Sequence, residues 1–173
     1  MLRGAVVRGR KNPLYTQFST RLKKARKACG FSKRTLSDQA GLSNIVAGYL
    51  EEGGRVPRLI TVERLAALLS VSPAWLAYGL EESPAARDAN SVRNLAERLR
   101  ELRQTQGMSR AALAVCSGVA VGAIQHIETG NASPGIDTVE RLAIALGVSP
   151  AWLAFGPAAK EAQTMSVALT LGR

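Results

Sequence analysis

Apolar residues recur at helical spacing in a succession of short segments along the chain. The first segment has apolar residues at positions i, i+4, i+7 and i+11, namely Phe18, Leu22, Ala25 and Cys29. This spacing places them on one face and predicts an amphipathic helix that ends at Gly30.

Residues 32–53 hold two short helical patterns separated by a glycine. Apolar positions recur on both sides of the break, at Leu36, Ala40, Val46, Ala47 and Leu50. Ser32 predicts the N-cap of the first helix, and Ser43 that of the second. Gly41 supplies the left-handed backbone that a sharp corner between helices requires, and Gly53 closes the unit. Two short helices joined at such a corner predict a helix-turn-helix, a motif that reads DNA.

Two more helices complete the first half of the chain. A helix capped by Thr61 is expected to continue to Leu69, and a short helix capped by Ser72 is expected to end at Gly79. Together with the preceding helices, these segments predict a five-helix domain over residues 15–80.

The helical pattern is repeated 77 residues later. Residues 18–79 align without a gap with residues 95–156, and 25 of the 62 positions are identical. Fifteen of these identities lie in residues 61–79, so the chain contains an internal duplication. It predicts an all-α fold of two tandem five-helix domains, copy 1 (residues 15–80) and copy 2 (residues 92–156).

Three other segments flank the copies. Residues 1–14 carry Arg and Lys among Gly and Pro, and they predict a flexible basic arm that either follows a DNA groove or is only a solvated tail. Residues 81–91 are polar and predict a linker. Residues 157–173 form a weakly patterned tail, for which a short strand and an interaction segment are both open interpretations.

The central motif resembles the lambda-repressor-like (Cro-type) helix-turn-helix family. The matching places hold Lys33, Leu36-Ser37, Gly41 and Glu51-Glu52-Gly53. Ser37 stands where the family usually has alanine, and Ala47 where it usually has a large aliphatic residue. Copy 2 has its own version of the motif, in residues 109–114, Gly118 and residues 127–130. The resemblance implies a double-stranded DNA ligand.

The same resemblance implies an ion pair between the first helix and the end of the reading helix. Both copies keep the two charges, as Arg26 and Glu51 in copy 1 and as Arg103 and Glu128 in copy 2. A bidentate bond between such groups fixes the angle between two helices. Two unrelated surface charges are the alternative.

The other shared residues are interpreted as structural. Leu22/Leu99, Leu36/Leu113, Leu65/Leu142 and Trp75/Trp152 are expected in the core or an interface, and Gly30/Gly107, Gly41/Gly118 and Gly53/Gly130 at corners. A small-molecule pocket lined by the tryptophans is the less favoured interpretation.

The charge of the chain indicates a polyanionic partner. The chain has 23 Lys and Arg residues against 13 Asp and Glu residues and a net charge of +10. Residues 1–86 hold 14 of the basic and 6 of the acidic residues, whereas residues 87–173 hold 9 and 7. The basic character therefore belongs to the first half.

Several other classes of protein are disfavoured. Cys29 and Cys116 lack the spacing of a disulfide framework or a zinc site and are expected to be small buried residues, with a redox-sensing thiol as the alternative. His126 is the only histidine and has no candidate catalytic or metal-binding partners, so no enzyme, metal or cofactor is expected. No membrane span or signal peptide is evident, which predicts a soluble cytoplasmic protein.

The two reading segments differ at every position. The residues of copy 1 expected to read bases are Ser43, Asn44, Ile45 and Tyr49. Those expected to bind phosphate are Lys33, Arg34, Arg55 and Arg58. The candidates in copy 2 are Arg110, Val121, Gln125 and His126. Three of the four phosphate-binding candidates, the arginines, are replaced in copy 2 by Ala111, Ala132 and Gly135. Copy 1 is therefore expected to dominate DNA binding.

The sequence thus predicts a DNA-binding transcriptional regulator, most simply a repressor. A protein-interaction regulator of the antiactivator or antitoxin-like kind, which binds a partner regulator, is the alternative. Two arrangements are open: an intramolecular pseudo-dimer on successive half-sites, or a homodimer through copy 2 or the tail that reads a palindrome, which is slightly favoured.

Overall fold

The computed structural model describes residues 13–80 and 91–156, with side chains from residue 95 onward in the second range. The helices of copy 1 are a 3₁₀ helix Leu14–Gln17, α1 Phe18–Ala28, α2 Lys33–Gln39, α3 Val46–Glu51, α4 Leu59–Leu68 and α5 Pro73–Tyr78. Those of copy 2 are α6 Ser91–Thr105, α7 Arg110–Ser117, α8 Val121–Glu128, α9 Ile136–Leu146 and α10 Pro150–Phe155. The predicted all-α fold with two tandem helix-turn-helix units is confirmed.

The flanking segments lie almost wholly outside the described residues. This applies to residues 1–12 of the predicted arm, to residues 81–90 of the predicted linker and to the tail 157–173. At the edges of these segments the structure differs from the prediction, because Leu14 already begins the 3₁₀ helix and Ser91 already begins α6.

Two of the predicted helix caps are wrong. Helix α3 begins at Val46 rather than directly after Ser43, and its N-cap Ile45 makes no side-chain cap bond. Helix α4 begins at Leu59, two residues before the expected cap Thr61. The caps expected at Ser32 and Ser72 are present, and each hydroxyl accepts a backbone N–H from the first turn of its helix.

The apolar stripes of both copies join in one continuous core. The leucines at the shared positions are fully buried: Leu22, Leu99, Leu36, Leu113, Leu65 and Leu142. Trp75 and Trp152 are half-buried and pack against this core. The expectation of buried cysteines is wrong, since Cys29 and Cys116 are both exposed near the ends of their helices.

The two copies pack directly against each other through equivalent segments. The backbone N–H of Leu59 donates to the carbonyl of Pro134 at 3.0 Å, and the N–H of Ile136 donates to the carbonyl of Pro57 at 3.1 Å. These two bonds are interchanged by the 77-residue shift, so the copies are related as the two halves of an isologous dimer. They also explain the early start of α4, because the second copy satisfies the first N–H group of that helix.

The short last helices extend this interface. Helix α5 packs against α10, and the rings of the equivalent residues Tyr78 and Phe155 lie 6.5 Å apart. The Tyr78 hydroxyl donates to the carbonyl of Ile136 at 3.1 Å. Glu140 of α9 is buried and accepts the backbone N–H groups of Leu14 at 2.7 Å and Tyr15 at 3.0 Å. A carboxylate of copy 2 therefore caps the first helical turn of copy 1.

Candidate nucleic-acid interface

A glycine corner sets the angle of each helix-turn-helix. Gly118 and its equivalent Gly41 have φ of 67° and 66°, a left-handed conformation that side chains rarely adopt. Helix α8 is bent by 117° relative to α7 across this break. The value lies within the range of DNA-reading helix pairs, about 90–120°.

An arginine of the first helix braces the end of the reading helix in both copies. In copy 1, Arg26 donates from Nε to Glu51 Oε1 at 2.5 Å and from Nη2 to Glu51 Oε2 at 3.0 Å. In copy 2, Arg103 makes the same two bonds to Glu128 at 2.6 and 3.1 Å. The remaining nitrogen of each guanidinium donates to the chain after the first helix, at the carbonyls of Phe31 and Met108. Each arginine thus ties three segments of its copy together.

Copy 2 adds a second guanidinium to the buried carboxylate. Arg110 donates from Nε to Glu128 Oε2 at 2.7 Å, and the Glu128 side chain is fully buried. Burial acts to raise the pKa of Glu128, but the hydrogen bonds from Arg103 and Arg110 outweigh it and hold the pKa below its ordinary value. Arg110 is therefore engaged within copy 2 through Nε, while 41% of its side chain remains exposed, and its phosphate-binding role stays a prediction.

Another arginine, missed as a structural residue by the sequence argument, is present in both copies. Arg21 donates to the carbonyls of Leu76 and Ala77 at 2.9 and 2.6 Å, and Arg98 makes the equivalent bonds at the end of α10. Burial lowers the pKa of Arg21, and the charge of Glu140 partly opposes this effect. Both copies have arginine at this position of the alignment, and this identity could have indicated a structural role.

The predicted base-reading residues of copy 1 are exposed at the start and on the outer side of α3. Asn44 and Ile45 lie in the turn that precedes the helix, and Ile45 is 57% exposed. Tyr49 lies on the helix and is 46% exposed. Ser43 is exposed as well, with its carbonyl accepting the N–H of Val46 at 2.9 Å.

The N-terminal turn of α3 is capped by α2 instead of by Ser43. The hydroxyl of Ser37, which is fully buried, accepts the backbone N–H of Ala47 at 3.0 Å. The serine that departs from the family pattern therefore holds the reading helix against its neighbour.

Of the four predicted phosphate-binding side chains of copy 1, Arg55 and Lys33 lie beside the reading helix. The guanidinium carbon of Arg55 lies 5.7 Å from the Tyr49 ring centroid, a cation–π distance. Lys33 passes beside Gly48 and places Nζ 3.3 Å from Glu52, and both of these charged side chains remain exposed. Two further arginines are exposed: Arg34, which lies 3.8 Å from Asp38, and Arg58, which is the N-cap of α4 beside copy 2.

The predicted base-reading positions of copy 2 hold no Lys, Arg, Asp or Glu. Val121, Gln125 and His126 are exposed along α8. Within residues 13–80 and 91–156, no group of three or more His, Cys, Asp or Glu side chains is placed to hold a metal ion. No single helix in these ranges has the length and apolar composition needed to cross a membrane.

A glycine corner, an exposed reading segment and a buried Arg–Glu brace define each copy as a helix-turn-helix domain, the class of module that reads duplex DNA. Comparison with protein families agrees: a helix-turn-helix family model matches residues 22–76, and a helix-turn-helix domain model matches residues 94–154. The chain belongs to the helix-turn-helix proteins and carries two tandem copies, of which the first matches the lambda-repressor (Cro) type. It is a DNA-binding regulator, and families of this kind are typically not enzymes. No solved structure matches the chain.

Proposed function

We propose that the chain is a transcriptional repressor that reads its operator mainly through copy 1. In this proposal Asn44, Ile45 and Tyr49 contact base edges, with Ser43 beside them. The phosphate groups are bound by the exposed basic side chains of copy 1, Lys33, Arg34, Arg55 and Arg58. Covering an operator excludes other proteins from it, which is the simplest mode of repression.

The contrast between Lys33 and Arg110 carries the proposal. These residues are equivalent in the alignment, yet Lys33 contacts only an exposed carboxylate at 3.3 Å, whereas Arg110 donates to a fully buried one at 2.7 Å. Releasing Arg110 for a phosphate would leave a buried charge with one fewer partner, which is costly. Non-specific DNA affinity comes mainly from phosphate contacts, so copy 1 supplies most of it.

The direct packing of the copies supports a pseudo-dimer on an asymmetric operator rather than the slightly favoured homodimer on a palindrome. Copy 1 brings four basic side chains to its reading surface, whereas the equivalent positions of copy 2 hold Arg110 alone, so the two half-sites contribute unequally. The homodimer through the tail, which lies outside the described residues, would require two chains on each operator.

The test combines footprinting with salt-dependent gel shifts on the full chain. We expect one chain per operator, a footprint without a palindrome and strong protection on one side only. The double variant Arg55→Ala/Arg58→Ala should weaken binding to all sequences and lower the slope of log affinity against log salt by about two, whereas Asn44→Ala should relax preference at one base pair.

The matched control is Lys23→Ala/Lys24→Ala, which removes the same charge from exposed positions of α1. Equal losses in the two double variants would refute the assignment of the phosphate contacts. A symmetric footprint with two chains per operator would restore the homodimer.

A second candidate function is a regulator that binds another regulator and uses DNA weakly or not at all. The specific observation in its favour is that the exposed base-reading candidates of copy 2, Val121, Gln125 and His126, include no Lys, Arg, Asp or Glu.

A further inference from the structure

A cavity of about 310 Å³ lies beside the end of the reading helix in copy 1. It is lined from residues 15–19 at the start of the domain, from Leu50 of α3 and from the loop of residues 53–57. We call this space the α1–α3 cavity. Cavities that hold small ligands have volumes of about 300 to 1,000 Å³, so this one has the size for a small organic molecule.

The buried part of the lining is apolar, and the exposed part includes polar side chains. Phe18, Leu50 and Pro57 are buried, whereas Thr16 and Arg55 are exposed. Ligand sites commonly combine an apolar surface with a few polar groups that fix the orientation of the ligand. A molecule with an apolar body and one polar or charged end therefore fits this lining.

The charge of the lining indicates the sign of that end. Arg55 is the one charged residue among those that line the cavity. The ion pairs of copy 1 within the described residues use other cations, namely Arg26, Lys33 and Arg34. A guanidinium binds a carboxylate through two parallel hydrogen bonds, and Arg55 has no such partner in the described part of the chain. An anionic end is therefore favoured.

Comparison of the copies shows that the fold does not require this arginine. The equivalent of Arg55 in copy 2 is Ala132, and the equivalent of Ser19, another lining residue, is Ala96. The buried positions stay apolar, since Phe18 corresponds to Leu95, which is also buried. The apolar lining thus belongs to the core of the domain, whereas Arg55 is specific to copy 1.

The walls of the cavity connect the reading helix to the contact between the copies. Tyr15 donates its backbone N–H to Glu140 of copy 2 at 3.0 Å, and the carbonyl of Pro57 accepts the N–H of Ile136 at 3.1 Å. Both Tyr15 and Pro57 line the cavity, as does Leu50 near the end of α3. A ligand in this space therefore contacts the reading helix and two segments that are held by copy 2.

We propose that the α1–α3 cavity binds a small organic carboxylate, whose apolar body packs against Phe18 and Leu50 and whose carboxylate pairs with Arg55. The proposal rests on the proposed function in one respect, because that function assigns Arg55 to a DNA phosphate. The ligand takes this contact from the DNA and acts as an effector that weakens operator binding. Loss of a phosphate contact lowers the affinity for all DNA sequences alike.

The test is an NMR titration of the ¹⁵N-labelled full chain with hexanoate, phenylacetate and 4-hydroxyphenylacetate, each compared with its neutral primary amide. We expect at least one carboxylate to give saturable shifts of the Ser19 and Gly53 amide signals. Its amide should bind at least about tenfold more weakly, because it cannot form the charged pair with Arg55. Inorganic phosphate, titrated separately, should also bind more weakly, because it has no apolar body.

Two variants with matched controls test the contacts. Arg55→Ala should weaken binding of the carboxylate at least about tenfold and leave binding of the amide unchanged. Arg64→Ala, which removes an exposed arginine of α4 outside the lining, should change neither. Ser19→Leu fills the cavity and should abolish binding of both, whereas Thr20→Leu, at an exposed position outside the lining, should not. Thermal melts check folding, and Arg55→Ala decides the test if Ser19→Leu does not fold.

Failure of all three carboxylates to give saturable shifts would overturn the proposal. Equal binding of each carboxylate and its amide, or undiminished binding by Arg55→Ala, would also overturn it, because either result removes the role of Arg55. Phosphate that binds as tightly as the organic carboxylates would show a simple anion contact instead of a ligand cavity.

Gel shifts at constant ionic strength separate this proposal from the proposed function. A saturating carboxylate should weaken DNA binding by the parent chain and leave that of Arg55→Ala unaffected. If the carboxylate binds while the DNA affinity of the parent is unchanged, the cavity stands and the phosphate contact of Arg55 is refuted. If no carboxylate binds while Arg55→Ala/Arg58→Ala still weakens DNA binding, only the cavity proposal is refuted.

Discussion

Glu51 and Glu128 occupy equivalent positions, but their surroundings give them different contributions to the free energy of unfolding. Glu51 accepts both of its hydrogen bonds from one guanidinium, that of Arg26. Glu128 accepts from Arg103 and Arg110 and is completely buried. Removing the charge of a buried carboxylate leaves its cationic partners without compensation, which costs more than the pair itself contributes.

We therefore expect Glu128→Gln to lower the free energy of unfolding by about 3 kcal/mol. Glu51→Gln, the matched variant, leaves one uncompensated arginine instead of two and should cost less. Because the folded-state pKa of Glu128 is lowered, its stabilising contribution is present above the ordinary carboxyl pKa and is lost as the pH falls. Urea unfolding should thus show the deficit of Glu128→Gln at neutral pH and its shrinkage as the pH falls below about 4.5. An equal loss of unfolding free energy at all pH values would contradict a lowered pKa of Glu128 in the folded state.

The reading elements of the two copies begin differently, although their sequences align without a gap. Helix α8 begins with Val121, directly after the equivalent of Ser43, whereas α3 begins two residues further along, at Val46. The later start leaves Asn44 and Ile45 in the turn before the helix, where the carbonyl of Ile45 accepts the N–H of Tyr49 at 3.2 Å. Ser37 compensates by accepting the N–H of Ala47 from the neighbouring helix.

Loss of this bond should loosen the start of α3. Ser37→Ala is expected to lower the free energy of unfolding by about 1 kcal/mol, the usual effect of removing a helix cap. Amide hydrogen exchange at Ala47 should accelerate, and preference for the operator should fall more than non-specific DNA affinity. Ser32→Ala is the matched control, since Ser32 accepts the N–H of Thr35 at the start of α2. If exchange at Ala47 responds equally to both variants, the role of Ser37 is refuted.

Helices with a regular apolar stripe and a strong local signal were predictable from the sequence. Helix α1 ends close to Gly30, and α5 follows its Ser-Pro start, because spacing and capping are local properties. Features that depend on distant segments were not predictable in this way. The start of α4 is set by a backbone bond from Leu59 to Pro134, and Arg110 is drawn to a buried carboxylate that only the folded helix presents.

At the scale of the whole molecule, some residues that are identical in the two copies lie in the contact between the copies, which the apolar periodicity did not reveal. Pro57 and Pro134 are identical, as are Glu63 and Glu140, although they lie in loops or at polar helix positions outside the shared stripes. The structure places Pro57, Pro134 and Glu140 in the contact between copies. Periodicity describes only how one domain folds, so it could not show that the two domains face each other.

The contact of Glu140 with the 3₁₀ helix should be worth a measurable part of the stability. Replacing the carboxylate by an amide in Glu140→Gln removes a charged acceptor and leaves one oxygen for two N–H groups, so we expect a loss of about 2 kcal/mol and faster amide exchange at Tyr15. Asp137→Asn is the matched control on the same helix, because Asp137 pairs with Arg141 instead. If amide exchange at Tyr15 is unchanged in Glu140→Gln, the hydrogen bonds of Glu140 do not stabilise the 3₁₀ helix.

The backbone hydrogen bonds at Pro57 and Pro134 hold together two copies that are also joined covalently in one chain. A repressor assembled from separate subunits loses its dimers when few molecules are present, and its occupancy then falls with the square of concentration. If one chain occupies one operator, as proposed above, the second copy is supplied at a fixed local concentration, and operator occupancy is expected to rise with the first power of the number of chains. Fusion also frees each half from two-fold symmetry, because a substitution in one reading helix is not repeated in the other. The two halves can therefore diverge while remaining joined.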